Sequence, residues 1–157
     1  MGQNQDNDLN FVRIDEQSQF PAWAPRDDVA RFFHETMKPY NDTLEDVQSA
    51  LSYALEKGCG AGGFLMLTHR DEKLLGALLM LRTGMAGYVP ENILLFVTVD
   101  PSTRGQGIGG RLIRKSIAEC DGDVKLHVEY DNPAKRLYER LGFTTKYAEM
   151  RYSRDQG

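Results

Sequence analysis

Apolar residues recur along the chain with two different periods, and those periods divide it into helices and strands. Val29, Phe32, Phe33 and Met37 return at helical spacing behind the acidic pair Asp27-Asp28, which suits a helix first turn, and Pro39 requires the helix to stop before it. A second helix is expected from Asp42 or Thr43 to Lys57, ahead of Gly58. Asp42 and Glu45 are spaced as a capping box there, and Leu44, Val47, Leu51, Ala54 and Leu55 form a buried stripe. Residues 64–68 and 74–81 are apolar runs on either side of Arg70-Asp71-Glu72-Lys73, the pattern of an antiparallel hairpin. Their near-continuous hydrophobicity implies cover on both faces.

The remaining segments extend this pattern to both ends. Residues 11–14 alternate as a short first strand, suited to a sheet edge, after a loose polar lead over 1–10. Residues 83–90, with two glycines and a proline, form a loop before a central strand over 93–99. A helix over 107–120 carries Ile108, Leu112, Ile113 and Ile117 on one side, and a strand over 124–128 follows the Asp121-Gly122-Asp123 turn. Asn132-Pro133 supplies an N-cap and a first-turn proline for a helix that carries Ala134, Leu137, Tyr138 and Leu141 and ends at Gly142. Residues 143–152 fit one or two closing strands. The order implies an α/β domain over 11–153: a mixed sheet with a right-handed βαβ unit around residues 97–128.

Composition narrows the class. With 157 residues, 41% of them hydrophobic and 27% charged, the chain has the make-up of a globular domain able to bury its own core. A net charge of −4 argues against nucleic acid and anionic membranes as partners. No apolar run is long enough to span a bilayer, and the first residues hold no apolar signal core, so the expected location is the cytoplasm. Cys59 and Cys120 have no metal-ligand spacing and read as buried or partly buried thiols; no metal is implied.

Candidate chemistry concentrates where the central strand runs into a helix, through Val97-Thr98-Val99-Asp100-Pro101-Ser102-Thr103-Arg104-Gly105-Gln106-Gly107-Ile108-Gly109-Gly110. A helix N-terminus carries unpaired N–H groups and partial positive charge, and glycines let a phosphate approach them closely. Residues 105–110 also satisfy the literal dinucleotide fingerprint, with Glu129 near the position of its ribose-binding carboxylate, which would make the chain an oxidoreductase. Against that, five residues separate strand from glycines, an antiparallel hairpin precedes them, and too little chain follows for the second half of a dinucleotide fold.

The two strings 97–101 and 104–109 resemble the acetyl-CoA-binding motif of the GNAT N-acetyltransferase superfamily. Asp131-Asn132-Pro133-Ala134-Lys135-Arg136-Leu137-Tyr138-Glu139-Arg140-Leu141-Gly142-Phe143 resembles the motif that follows it in that family. The resemblance implies a mixed, mostly antiparallel sheet whose central parallel strands splay apart around coenzyme A. It implies acetyl-CoA as co-substrate, with the edges of Val97 and Val99 on the pantetheine arm and Arg104, Gly105, Gln106, Gly107, Ile108, Gly109 and Gly110 around the pyrophosphate.

It also places Tyr138 where the family keeps its proton donor. Phenols and thiols are weak acids of similar strength, with ordinary pKa values of ~10 and ~8.5, so a phenol suits a departing thiolate. His127, near the position of a catalytic carboxylate in some relatives, Glu91 and Glu129 are the alternatives for the base that takes the amine proton, directly or through water; the alternative for all three is a structural or surface role. Asn132 stands one residue later than the family asparagine, with Asp131 in that place, and either binds pantetheine or caps its helix. The reading is an N-acetyltransferase acting by direct attack of a primary amine, of a small molecule or a protein, on the thioester. The alternative is an acyl-CoA-binding module without turnover. Pairing of terminal strands between subunits leaves a homodimer open.

Overall fold

A computed structural model describes residues 8–155. They fall into two compact units that divide between Leu126 and His127. The first contains β1 (Asn10–Ile14), a 3-10 turn (Gln17–Gln19), α1 (Arg26–Thr36), α2 (Leu44–Leu55), β2 (Gly63–Arg70), β3 (Lys73–Arg82), β4 (Asn92–Val99), a second 3-10 turn (Pro101–Thr103), α3 (Ile108–Ala118) and β5 (Val124–Leu126). The second unit contains α4 (Ala134–Arg140).

The sheet runs in the order β1-β2-β3-β4-β5, with β1 at an edge as expected. The first three pairings are antiparallel and β4 with β5 is parallel. The β2–β3 hairpin reverses through Asp71 and Glu72, both at positive φ (52° and 60°), the left-handed geometry that a two-residue hairpin needs. One face of the sheet packs on α1 and α2: Ile14, Leu65, Leu67, Ala77, Leu79 and Phe96 meet Val29, Phe33, Val47 and Leu51. Phe33 is fully buried, its ring 5.6 Å from that of Phe96. α3 buries Leu112 and Ile113 completely, and a Cβ on Gly76 of β3 would come within 3.3 Å of Leu112. Cover on both faces explains why β2 and β3 carry no polar alternation.

Several expectations are corrected. α2 is capped by Thr43, whose hydroxyl accepts from Asp46 N–H at 3.1 Å, rather than by the Asp42–Glu45 pair, and it ends at Leu55. Leu44, as the first helical residue, lies outside the packed stripe and is exposed. Leu9 is buried beside Leu75 and Ile108, so the polar lead ends sooner than residue 10; residues 1–7 lie outside the described residues. Cys59, in the turn after α2, is exposed, whereas Cys120 is partly buried. β5 ends at Leu126 rather than 128, and residues 143–152 form no strand: they join no ladder, and Tyr147, Met150 and Tyr152 are exposed.

Candidate active site

β4 changes its outward-facing edge halfway along. Asn92 N–H donates toward β5, to Asp123 O at 3.1 Å, whereas Asp100 N–H, just past the strand, donates toward β3, to Leu75 O at 2.7 Å. Both residues are even-numbered, so an uninterrupted strand would point both N–H groups the same way. The register explains the switch: Leu79 pairs with Phe96 and Met80 with Leu94, which leaves Leu95 bulged. Beyond the bulge, Thr98 shares the β3-facing edge with Asp100, so the N–H and C=O groups of Val97 and Val99 face the opposite edge. The β5 ladder on that edge has already ended at Leu94. Two residues of unpaired strand edge are therefore presented where β4 and β5 part, ready to pair with an extended amide-bearing ligand.

The same strand leads straight into the glycine loop. Asp100 caps the Pro101–Thr103 turn, its Oδ1 accepting from Ser102 N–H at 2.9 Å and from the Ser102 hydroxyl at 2.8 Å. Those donors hold the carboxyl below its ordinary pKa. Gly105 and Gly107 then adopt left-handed φ values of 85° and 78°, which explains glycine at both. Gly107 is the N-cap of α3 and offers no side chain, the first turn holds no acidic residue, and the first intrahelical bond is donated by Arg111 to Gly107 O at 3.2 Å. The N–H groups of Ile108, Gly109 and Gly110 thus precede the helical ladder at its positive end, an arrangement that suits a pyrophosphate.

Arg104 stands beside this loop with its Nη2 donating to the carbonyl of Thr36, 2.9 Å away at the last residue of α1. The Thr36 hydroxyl lies 2.6 Å from Phe32 O and 2.7 Å from the Thr98 hydroxyl of β4. The end of α1 is thereby joined to both the strand edge and the loop. Glu91 accepts from Asp123 N–H through Oε2 at 2.7 Å, and backbone donors led by that N–H hold its carboxyl below the ordinary range.

The second unit carries the other candidates. Tyr138 is on α4, with its ring edge-on to Phe143 at 5.9 Å, and Phe143 N–H donates back to Tyr138 O at 3.0 Å as the chain turns through Gly142 at φ 104°. Burial pushes the Tyr138 phenol up to about 12. Asn132 Oδ1 accepts from Ala134 N–H at 2.9 Å, so its oxygen caps α4. His127 and Glu129 are exposed.

Sequence reasoning missed the Leu95 bulge and the part played by Thr36. Neither carried a signal: the bulge inserts no glycine or proline, and Thr36 reads only as a polar residue in a last helical turn. Among the described residues no group of three His, Cys, Asp or Glu is placed to hold a metal ion, and no helix is long and apolar enough to cross a membrane.

A strand with an open edge that runs into an uncapped glycine-rich helix start, on a five-stranded mixed sheet, is the architecture of an acyl-group transferase fold. The profile of the acetyltransferase (GNAT) domain matches residues 60–145, more than half of the chain, and the chain belongs to that family. Mycothiol acetyltransferase of Actinosynnema mirum is 34% identical over 98 residues, which are 59% of this chain and 32% of that protein. The Brachybacterium faecium enzyme of the same name is 33% identical over 84 residues, 50% of this chain and 25% of that protein. The chain therefore spans a third or less of these curated relatives. Among solved structures, a possible acetyltransferase from Clostridium difficile 630 superposes with a TM-score of 0.66 at 18% identity, covering 92% of this chain and 97% of its own. An aminoglycoside N-acetyltransferase in complex with CoA superposes with a TM-score of 0.62 at 15% identity, covering 94% and 95%. These likenesses establish the fold.

Proposed function

We propose that the protein is an acetyl-CoA-dependent N-acetyltransferase that moves the acetyl group to a primary amine by direct attack on the thioester. The observation that carries this reading is the continuity of the outward edge of Val97 and Val99 with the uncapped N-terminus of α3. One surface offers amide-pairing groups and, a few residues on, phosphate-binding N–H groups, which matches the order of pantetheine and pyrophosphate along coenzyme A. The CoA complex of the similarly folded aminoglycoside N-acetyltransferase agrees with that donor.

In this reading Gly105, Gln106, Gly107, Ile108, Gly109 and Gly110 hold the pyrophosphate, and Arg104 adds positive charge beside it. Asn132 keeps its amide nitrogen for the pantetheine while its oxygen caps α4. The amine attacks in its neutral form, the C–N bond forms, and the C–S bond breaks. A base takes the amine proton, directly or through water, with His127 and Glu129 as the candidates. Tyr138 gives its phenol proton to the departing sulfur; a phenol carries that proton at neutral pH.

The test is turnover of acetyl-CoA against a library of amines, peptides and amino acids seeded with aminoglycosides, read by mass spectrometry for acetylated products and by release of free thiol. Acetylation of a library member bears the proposal out. Tight binding of acetyl-CoA with no product from any acceptor would leave a binding module in its place. Binding of NAD(H) and not CoA would restore the dinucleotide reading.

A further inference from the structure

We propose that Glu91 is a positioning residue that bolts β5 to β4, and that it does not serve as the general base. The inference rests on the acetyltransferase reading only for its effect on coenzyme binding. β5 pairs with β4 through three residues, Asn92 with Val124, Ile93 with Lys125 and Leu94 with Leu126. A ladder that short cannot by itself set the direction in which a strand leaves its neighbour.

The bracing comes from two adjacent residues at the start of β4, both gripping the turn that launches β5. Glu91 Oε2 accepts from Asp123 N–H at 2.7 Å. Asn92 Nδ2 donates to Asp121 O at 2.7 Å and to Asp123 O at 3.2 Å, and Asn92 N–H donates to Asp123 O at 3.1 Å. Asn92 is 5% exposed, so water competes little for these bonds. Gly122, at φ 87°, completes the joint: a Cβ there would fall 2.4 Å from Glu91 Oε2 and 2.5 Å from its Cδ. The carboxylate lies against the glycine: a side chain at 122 would be strained by the backbone conformation and would push Glu91 off its bond to Asp123.

Glu91 O also accepts from Thr83 N–H at 2.9 Å, which ties the start of the 83–90 loop to the same point. A general base needs a lone pair free to meet the proton and an affinity for it near the working pH. The Glu91 oxygen nearest the joint is committed to Asp123 N–H at 2.7 Å, and that bond lowers the carboxyl's affinity for a proton. What it offers is geometry: the joint sets how β5 diverges from β4, and so how open the Val97–Val99 edge is to a pantetheine arm.

Glutamine can accept the Asp123 bond but cannot take a proton, so Glu91→Gln separates the two roles. The experiment compares wild type, Glu91→Gln, Glu91→Ala and Gly122→Ala in amide exchange at Asp123, in calorimetric binding of coenzyme A, and in kcat and KM with an acceptor found in the library. Asp123 exchange should accelerate about tenfold or more in Glu91→Ala and Gly122→Ala and stay near wild type in Glu91→Gln. Coenzyme A affinity should weaken about tenfold in the same two variants and be rescued by Gln. The effect should fall on KM for acetyl-CoA more than on kcat.

A kcat loss of about a hundredfold or more in Glu91→Gln, with Asp123 protection and coenzyme A affinity intact, would overturn the proposal and make Glu91 the base. So would Asp123 exchange that is equal in all four proteins. If Gly122→Ala does not fold, the Gln and Ala pair still decides the question. Failure of wild type to bind coenzyme A would end the acetyltransferase reading, while the exchange measurement would still judge the joint.

Discussion

Tyr138 shows how a residue's chemistry can be set by burial without any charged partner. Desolvation disfavours the phenolate and pushes the pKa up to about 12, which keeps the phenol neutral but makes it a weaker acid than a free one, so a proton given to a thiolate has to be drawn by the charge that develops on the sulfur. Tyr138→Phe keeps the ring against Phe143 and removes the proton; kcat should fall by about a hundredfold or more while coenzyme A affinity, measured by calorimetry, stays within about twofold. The helix position of Tyr138 was legible from its place between Leu137 and Leu141, and its proposed role came from resemblance. Glu91 is the opposite case, because nothing in a one-dimensional string shows that its carboxylate meets the N–H of Asp123, 32 residues away. Asn132 lies between the two: the Asn-Pro pair announced a helix start, and the bond to Ala134 N–H fulfils that reading.

At the scale of elements, helices and hairpin followed closely from period and punctuation, and the discrepancies sit at ends and joints. Arg26 is such a joint, with its side chain 15% exposed. Its guanidinium donates to Gln48 Oε1 at 2.9 Å, Gln48 O at 3.1 Å, Ser52 Oγ at 2.8 Å and Gln17 Oε1 at 2.7 Å, binding α1 to α2 and to the turn before it. Arg26→Met, which keeps the packing of the stem, should lower stability by about 2–3 kcal/mol in urea denaturation because those acceptors lose a charged donor. The β2–β3 turn offers the reverse change. Glu72 sits at φ 60° with a side chain that resists that conformation, so Glu72→Gly should stabilise by about 1 kcal/mol and raise the melting temperature. The turn's location was plain from four consecutive charged residues, whereas its left-handed geometry was imposed by the hairpin register.

For the whole molecule, folding shifts several titrations, and stability should carry their imprint. The Asp100 carboxyl is held low by the Ser102 N–H and hydroxyl, and the Glu91 carboxyl by backbone N–H groups led by that of Asp123. Their contribution is complete above the ordinary carboxylate range of ~4 and is lost as pH falls through their lower folded values. Tyr138 acts on the alkaline side. Between ~10, where an unfolded phenol ionises, and about 12, the folded chain holds a proton that the unfolded chain has released, so stability falls as pH rises through that window. Melting temperatures measured across pH should therefore decline at both ends, and Tyr138→Phe should flatten the alkaline decline alone. The sequence by itself determined the helices and strands between residues 10 and 126 and the helix around Tyr138, that the sheet is covered on both faces, and that a glycine-rich helix start follows the central strand, because these depend on periodicity and on backbone conformations that only some residues adopt. Tertiary structure alone decided which edge β4 turns outward, since Leu95 bulges only in register with β3. It also decided what the ends of α1 and β4 grip, since Thr36, Glu91 and Asn92 bond to residues far along the chain. The exposed stretch over 143–152, expected as closing strands, obeys the same logic: a strand forms only when another strand supplies the hydrogen bonds.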